Sequence, residues 1–151
     1  MTNYDMAKAP GRTYKYYRGR ALFKFGAGLS YTTFSLTCHA TGSLALPLSA
    51  SCDVTNTGNR TGDEVILVYH RAGTEVRAAA TKTHPVPLRS LVGFERVTLA
   101  AGVTQTIHFP PFERKSFELV NANGNRTLYP GEHSLVFSRG HGAEVAVNVT
   151  L

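Results

Sequence analysis

Residues 34–54 read FSLTCHATGSLALPLSASCDV, and two alternating runs lie within them. Phe34, Leu36, Cys38 and Ala40 fall on one side of an extended chain, with Ser35, Thr37 and His39 on the other. After Gly42-Ser43, the residues Leu46, Leu48, Ala50, Cys52 and Val54 repeat the pattern. Side chains alternate across a strand with a period of two, so each run reads as a half-buried strand. Pro47 is tolerable at a strand start or edge. Folding the two runs into a hairpin about Ala45 sets Cys38 opposite Cys52 on the same face. Directly opposed side chains lie about 4.5–5.5 Å apart at Cβ, so a disulfide is geometrically open to this pair. Closing so short a loop contributes roughly 3 kcal/mol. Two buried free thiols are the alternative.

The same grammar continues downstream. Residues 56–62 (NTGNRTG) read as a loop on turn chemistry. In residues 63–71, Val65, Leu67 and Tyr69 face one way and Ile66, Val68 and His70 the other. Apolar residues on both faces mark a central strand, or one covered on both sides. Residues 72–84 are small and polar and read as a loop, with one helical turn at Ala78-Ala79-Ala80 the lesser option. Ser90–Leu99 is a further strand, turned by Ala101-Gly102 into residues 103–109, where Pro110-Pro111 is expected to stop it. Phe117, Leu119 and Val120 form a short strand, residues 133–138 another, and residues 143–151 the last. Seven or eight short strands separated by turns, with no convincing helix, indicate an all-β sandwich of the immunoglobulin/fibronectin III-like kind.

Upstream, residues 10–34 read PGRTYKYYRGRALFKFGAGLSYTTF. Arg12, Lys15, Arg18, Arg20 and Lys24 interleave with Tyr14, Tyr16, Tyr17, Phe23 and Phe25, and this strip holds much of the net charge of +6. Such interleaving suits phosphate contacts and base stacking. A lone basic strip is more often solvated surface, so a connector clamped by its aromatics is the preferred reading and no nucleic-acid partner is expected. Tyr14, Tyr16 and Tyr17 are then candidate interdomain or sugar contacts. The expected organisation is an extended leader or linker over residues 1–30, continuing from an upstream domain, and a sandwich over 31–151. Its last strand reads as a natural C-terminal end.

Several stretches resemble one known family. FGAGLSYTTF at residues 25–34, preceded by PGRTYKYYRG, is similar to the junction before the C-terminal domain of glycoside hydrolase family 3 enzymes, above all the β-xylosidase/α-arabinosidase branch. Val54-Thr55-Asn56-Thr57-Gly58 followed by Gly62-Asp63-Glu64-Val65 resembles a strand signature of that family's fibronectin type III-like domain. Leu91-Val92-Gly93-Phe94-Glu95-Arg96-Val97 resembles its L-x-G-F-x-R-V strand, and Ala101-Gly102 with Ile107-His108-Phe109 its next hairpin. Tyr129-Pro130-Gly131-Glu132-His133 resembles its P-G-x-Y turn, with His133 in the aromatic position. The resemblance implies a parent that hydrolyses β-linked sugars (xylosides, arabinosides, glucosides) with retention. Its nucleophilic Asp would lie in an N-terminal barrel, and its acid/base carboxylate in the barrel or a following α/β sandwich. It also implies that this chain serves as a non-catalytic domain packed on those catalytic domains, in cis or as a separate chain.

No catalytic, cofactor-binding or metal residue is carried over. The acids Asp53, Asp63, Glu64, Glu75, Glu95, Glu113, Glu118, Glu132 and Glu144 are scattered and read as solvated surface groups. His39, His70, His84, His108, His133 and His141 lack ligand spacing and read as surface or turn residues. The two cysteines form no CxxC. There is no G-x-S-x-G nucleophile elbow. No run approaches the roughly 18 apolar residues of a membrane span, so no membrane partner is expected. Asn59, Asn125 and Asn148 open glycosylation sequons, the first two in expected loops. No secretory signal is visible in residues 1–10; an extracellular setting follows if the parent is secreted. A stand-alone carbohydrate-binding or adhesion module, with an oligosaccharide as partner, is the second reading; the absence of Trp ranks it lower.

Overall fold

A computed structural model describes residues 4–41 and 46–151. The expected turn at Gly42-Ser43 and the hairpin apex at Ala45 lie outside the described residues. Strands β1 (Phe34–Thr41), β2 (Leu48–Asn56) and β5 (Thr104–Phe112) form one antiparallel sheet in the order β1-β2-β5. Strands β3 (Gly62–Ala72), β4 (Ser90–Leu99), β8 (Glu132–Ser138) and β9 (Val145–Thr150) form the second, in the order β4-β3-β8-β9. The two-residue strands β6 (Leu119–Val120) and β7 (Arg126–Thr127) make a separate hairpin.

The core lies between the two sheets. Phe34, Cys38, Leu48, Cys52, Val54, Ile107 and Phe109 meet Ile66, Val68, Val97, Leu99, Leu135 and Phe137 there. The inward residues of β1 and β2 are the ones whose alternation defines the strands. In the β1–β2 pairing Cys38 sits opposite Cys52, and a disulfide joins them.

Three elements depart from the sequence reading. Residues 74–81 form helix α2 (Thr74–Thr81), not a loop. Val76 and Ala80, four apart and therefore on one helical face, bury against Ala72, Val86 and Leu119, and Ala-rich sequence is a strong helix former. Second, Pro110-Pro111 does not stop β5, which runs to Phe112. β5 is an edge strand, where a missing N–H is tolerated, and a register shift between Leu48 and Ala50 absorbs the irregularity. Third, Asn56 belongs to β2 and is buried. Its amide donates to Leu99 O at 2.9 Å and Arg60 O at 2.7 Å, while its Oδ1 accepts from Thr32 Oγ1 and Gly58 N. A fully bonded amide can sit in the interior at no desolvation deficit.

Nor is the leader plainly extended. Hydrogen bonds from Gly11 N to Lys8 O and from Arg12 N to Met6 O fold it on itself, and α1 (Thr13–Tyr16) adds one helical turn.

Candidate functional site

The second face of β3 explains its two-sided apolar pattern. Leu67 and Tyr69 point away from the sandwich core and are buried by the leader. Tyr14 stacks on Phe25 with centroids 4.5 Å apart and on Tyr69 at 5.7 Å, and its hydroxyl accepts from Leu91 N at 3.3 Å. Arg89 lies over the Tyr69 ring, 4.4 Å from its centroid, and pairs with Glu144 at 2.7 Å. Burial disfavours the Glu144 carboxylate, but the bond and charge of Arg89 outweigh it and hold its pKa below the ordinary value. Burial pushes the Tyr69 phenol up.

Gly26 of the leader and Gly140, just past β8, pack backbone to backbone. Both have left-handed φ, +79° and +75°. A Cβ built on Gly140 would lie 2.1 Å from Gly26 O, so only glycine permits this contact. Beyond the latch the leader is open: Leu22, Phe23, Leu29 and Tyr31 are 95%, 88%, 105% and 95% exposed. Between the leader and residues 88–89 runs a groove of about 830 Å³, walled by Tyr14, Tyr17, Phe23, Phe25, Arg20 and Arg89. Of the three candidate tyrosines, Tyr14 is consumed by packing, Tyr17 is exposed on the groove wall, and Tyr16 lies on the opposite side against the α2 region.

The structure changes the status of four polar residues read as surface groups. Glu64 is buried, accepting from Val65 N and pairing with Arg139 at 3.4 Å. His70, His84 and His133 are also buried. His133 Nε2 donates to Tyr129 O at 2.9 Å, so its Nδ1 is the acceptor for His70 Nε2–H, also at 2.9 Å. Phe117 packs edge-on against both rings. Burial, and then the His133 neighbour, push His70 down to about 3; burial also lowers His133, against its backbone bond. Both rings are therefore neutral parts of the core. Composition alone carries no sign of this; the available signals were His70 on the Ile66–Val68 face of its strand and His133 standing where the resembled turn has an aromatic.

Four further carboxylates are engaged locally. Asp63 accepts from Thr98 and pairs with Arg96, Asp53 accepts from Thr106, Glu113 pairs with Lys115 and Glu118 with Arg114. Among the described residues no three His, Cys, Asp or Glu side chains converge as a metal site requires, and no helix is long and apolar enough to cross a membrane. Asn59 and Asn125 are exposed beside turns, whereas Asn148 lies on β9 and accepts from Ser134 Oγ at 2.9 Å.

A family profile, the fibronectin type III-like domain, matches residues 64–139, from within β3 to just past β8. The chain belongs to the fibronectin type III-like domain family. Its relatives place that domain in glycoside hydrolase family 3, in keeping with the motif resemblance. The xylan 1,4-β-xylosidase of Xylanibacter ruminicola is 36% identical over 91% of this chain. The exo-1,4-β-xylosidase of Emericella nidulans is 33% identical over 85% of it. A solved β-glucosidase from Erythrobacter marinus superposes with a TM-score of 0.73 at 28% identity over 93% of this chain. The chain spans 15%, 18% and 18% of those proteins, respectively. This fibronectin type III-like domain is thus one small part of each relative.

Proposed function

We propose that this fibronectin type III-like domain is a non-catalytic accessory domain of a β-xylosidase-like or β-glucosidase-like enzyme, packed on catalytic domains of the same chain. The carrying observation is the exposed apolar row of Leu22, Phe23, Leu29 and Tyr31, on a leader otherwise latched to the sheet. Fully exposed large apolar side chains so close in sequence mark an interaction surface. Asp53, Asp63, Glu64, Glu113, Glu118 and Glu144 are each tied to a neighbouring cation or hydroxyl, which supports the non-catalytic part, because retaining hydrolysis needs a pair of carboxyls about 5–5.5 Å apart across the scissile bond. The division between a linker over residues 1–30 and a sandwich over 31–151 belongs to the same proposal: the linker leads to the catalytic domains while its Tyr14–Phe25 section is glued to the sandwich.

The test is a chimera. This chain replaces the corresponding segment of the Xylanibacter ruminicola xylosidase, beside an enzyme lacking that segment. The chimera is expected to recover thermal stability and xylosidase activity that the truncated enzyme lacks. Phe23→Ser with Leu29→Ser is expected to abolish the recovery while leaving the isolated domain folded. Turnover of nitrophenyl xyloside by the isolated chain, or a double variant as effective as the parent sequence, refutes the proposal.

A further inference from the structure

The two outer faces of the sandwich differ in chemistry. On the sheet β1-β2-β5, Thr37, Asp53 and Thr106 share one row, and Ser35, Thr55 and Thr104 the next. Their polar atoms pair along the surface: Thr106 Oγ1 donates to Asp53 Oδ1 at 2.6 Å, and Thr55 Oγ1 lies 2.8 Å from Thr104 Oγ1. Among the described residues of β1, β2 and β5, no large apolar side chain is exposed. The other sheet is different. Phe94 of β4 is 64% exposed, and Val65 of β3 is exposed as well. Phe94 stands opposite Leu67 in the β3–β4 ladder, and Val65 lies two residues along β3 from Leu67. All three side chains therefore share the outer face.

The leader crosses this face beside them. A Cβ built on Gly26 would lie 2.1 Å from Leu67 Cδ1, so the backbone there rests on the residue that flanks Phe94. Phe25, just before it, is itself exposed. The apolar surface of the leader is thus carried past Leu67 onto Phe94 and Val65. At the margin of the sheet it turns the corner of the sandwich, where Phe94 and Val92 border a recess of about 490 Å³ with Pro110, Pro111 and Phe112. Size argues the same way. A stable interface takes about 800 Å² and roughly 20–30 residues from each partner, more than the four exposed side chains of the leader row supply by themselves.

We propose that the outer face of β3 and β4 around Phe94 and Val65 continues the docking surface of the leader, and that its occupant is an apolar surface of the catalytic domains of the same polypeptide. The β1-β2-β5 face is left to solvent. The inference rests on the packing proposal above and adds to it which side of the sandwich is turned inward. The relatives carry this domain as 15–18% of one polypeptide. A covalently joined surface meets the face at an effective concentration that a second copy does not match.

The experiment is maleimide labelling of single-cysteine variants, read by peptide mass mapping, in the full chain alone and in the Xylanibacter ruminicola chimera. Cys38 and Cys52 are joined to each other, so the introduced thiol is the free one in this chain. Leu29→Cys reports on the leader, Phe94→Cys on the β3–β4 face and Thr37→Cys on the opposite face; all three positions are exposed. In the chimera, Leu29→Cys and Phe94→Cys are expected to label at least about tenfold more slowly than in the chain alone, because a docked thiol reacts only when the contact opens. Thr37→Cys is expected to label equally in both. If Phe94→Cys does not fold, Arg96→Cys, opposite Val65 on the same face and exposed, takes its place. Protection of Leu29→Cys without Phe94→Cys overturns this inference and leaves the packing proposal standing, whereas protection of neither overturns both. Equal protection of Thr37→Cys and Phe94→Cys overturns the choice of face. Protection of Phe94→Cys in the chain alone that grows with protein concentration assigns a second copy and overturns the choice of occupant.

Discussion

The contact between Gly26 and Gly140 can be broken selectively, because a control lies two residues away. Gly140 and Gly142 both have positive φ, +75° and +69°. Alanine at either position pays the left-handed penalty of about 1–2 kcal/mol. At Gly142 the added Cβ would meet only the tip of the Arg139 side chain, at 3.3 Å, which need shift only slightly. At Gly140 it would meet the backbone of Gly26 and Ala27 at 2.1–2.6 Å, which cannot yield without lifting the leader. Lifting it removes the Tyr14–Tyr69 contact and strains the Tyr14–Phe25 stack, each worth about 0.5–1.5 kcal/mol beyond area burial. Gly140→Ala should therefore cost about 1–3 kcal/mol more than Gly142→Ala. At about 2–4 °C per kcal/mol for a chain of this size, its Tm falls roughly 2–12 °C further. Calorimetry reads that difference, and trypsin reads its location: cleavage after Arg18, Arg20 or Lys24 should accelerate in Gly140→Ala alone. Equal melting and equal cleavage in the two variants would show that the leader is not held at this point.

Three further outcomes follow from the structure. Replacing Cys38 and Cys52 together by Ala releases a link between residues 14 apart in sequence and should cost roughly 3 kcal/mol, seen as a lower urea midpoint that reductant no longer shifts. For the histidine pair, the unfolded chain binds protons near the ordinary His value while folded His70 resists down to about 3. The unfolded state thus holds more protons, and stability should fall as pH drops from about 6.5 towards 3, by up to about 1.4 kcal/mol per pH unit for each such proton. Denaturant midpoints across that window should show a shallower fall in His70→Phe than in the wild type; parallel curves would remove the pair from the account. Secreted from a eukaryotic host, the chain should carry glycans at Asn59 and Asn125 but not at Asn148, whose side chain is bonded within the β8–β9 ladder; Asn→Gln variants and glycosidase mass shifts check each position.

Most strand positions were legible in the sequence because one face is buried and the other wet, a contrast that alternation records residue by residue along β2 and β5. β3 even announced that its second face is covered, through Leu67 and Tyr69. What covers it was not legible, because the leader's aromatics carry no period that points to a partner. Helix α2 was not legible for a related reason: it is only eight residues long, and buried Ala80 is no more apolar than exposed Ala78 and Ala79. The buried states of Glu64, His70, His84 and His133 depend on partners far away in sequence, Arg139 and His133 among them, and single-residue polarity argues the other way. The Pro110-Pro111 expectation failed because a stop rule valid for paired strands was applied to an edge.

That edge has a consequence for how the molecule meets others. A free strand margin is a template on which any extended chain, including a second copy, can be threaded through backbone bonds. On β5 the tandem prolines delete two consecutive N–H donors, and the register shift beside Leu48 disrupts the ladder behind them. A hydrogen-bonded ribbon growing along this margin is interrupted there. Association at this end of the sandwich is thereby steered from indiscriminate backbone pairing towards contacts made by side chains, which can tell one partner from another.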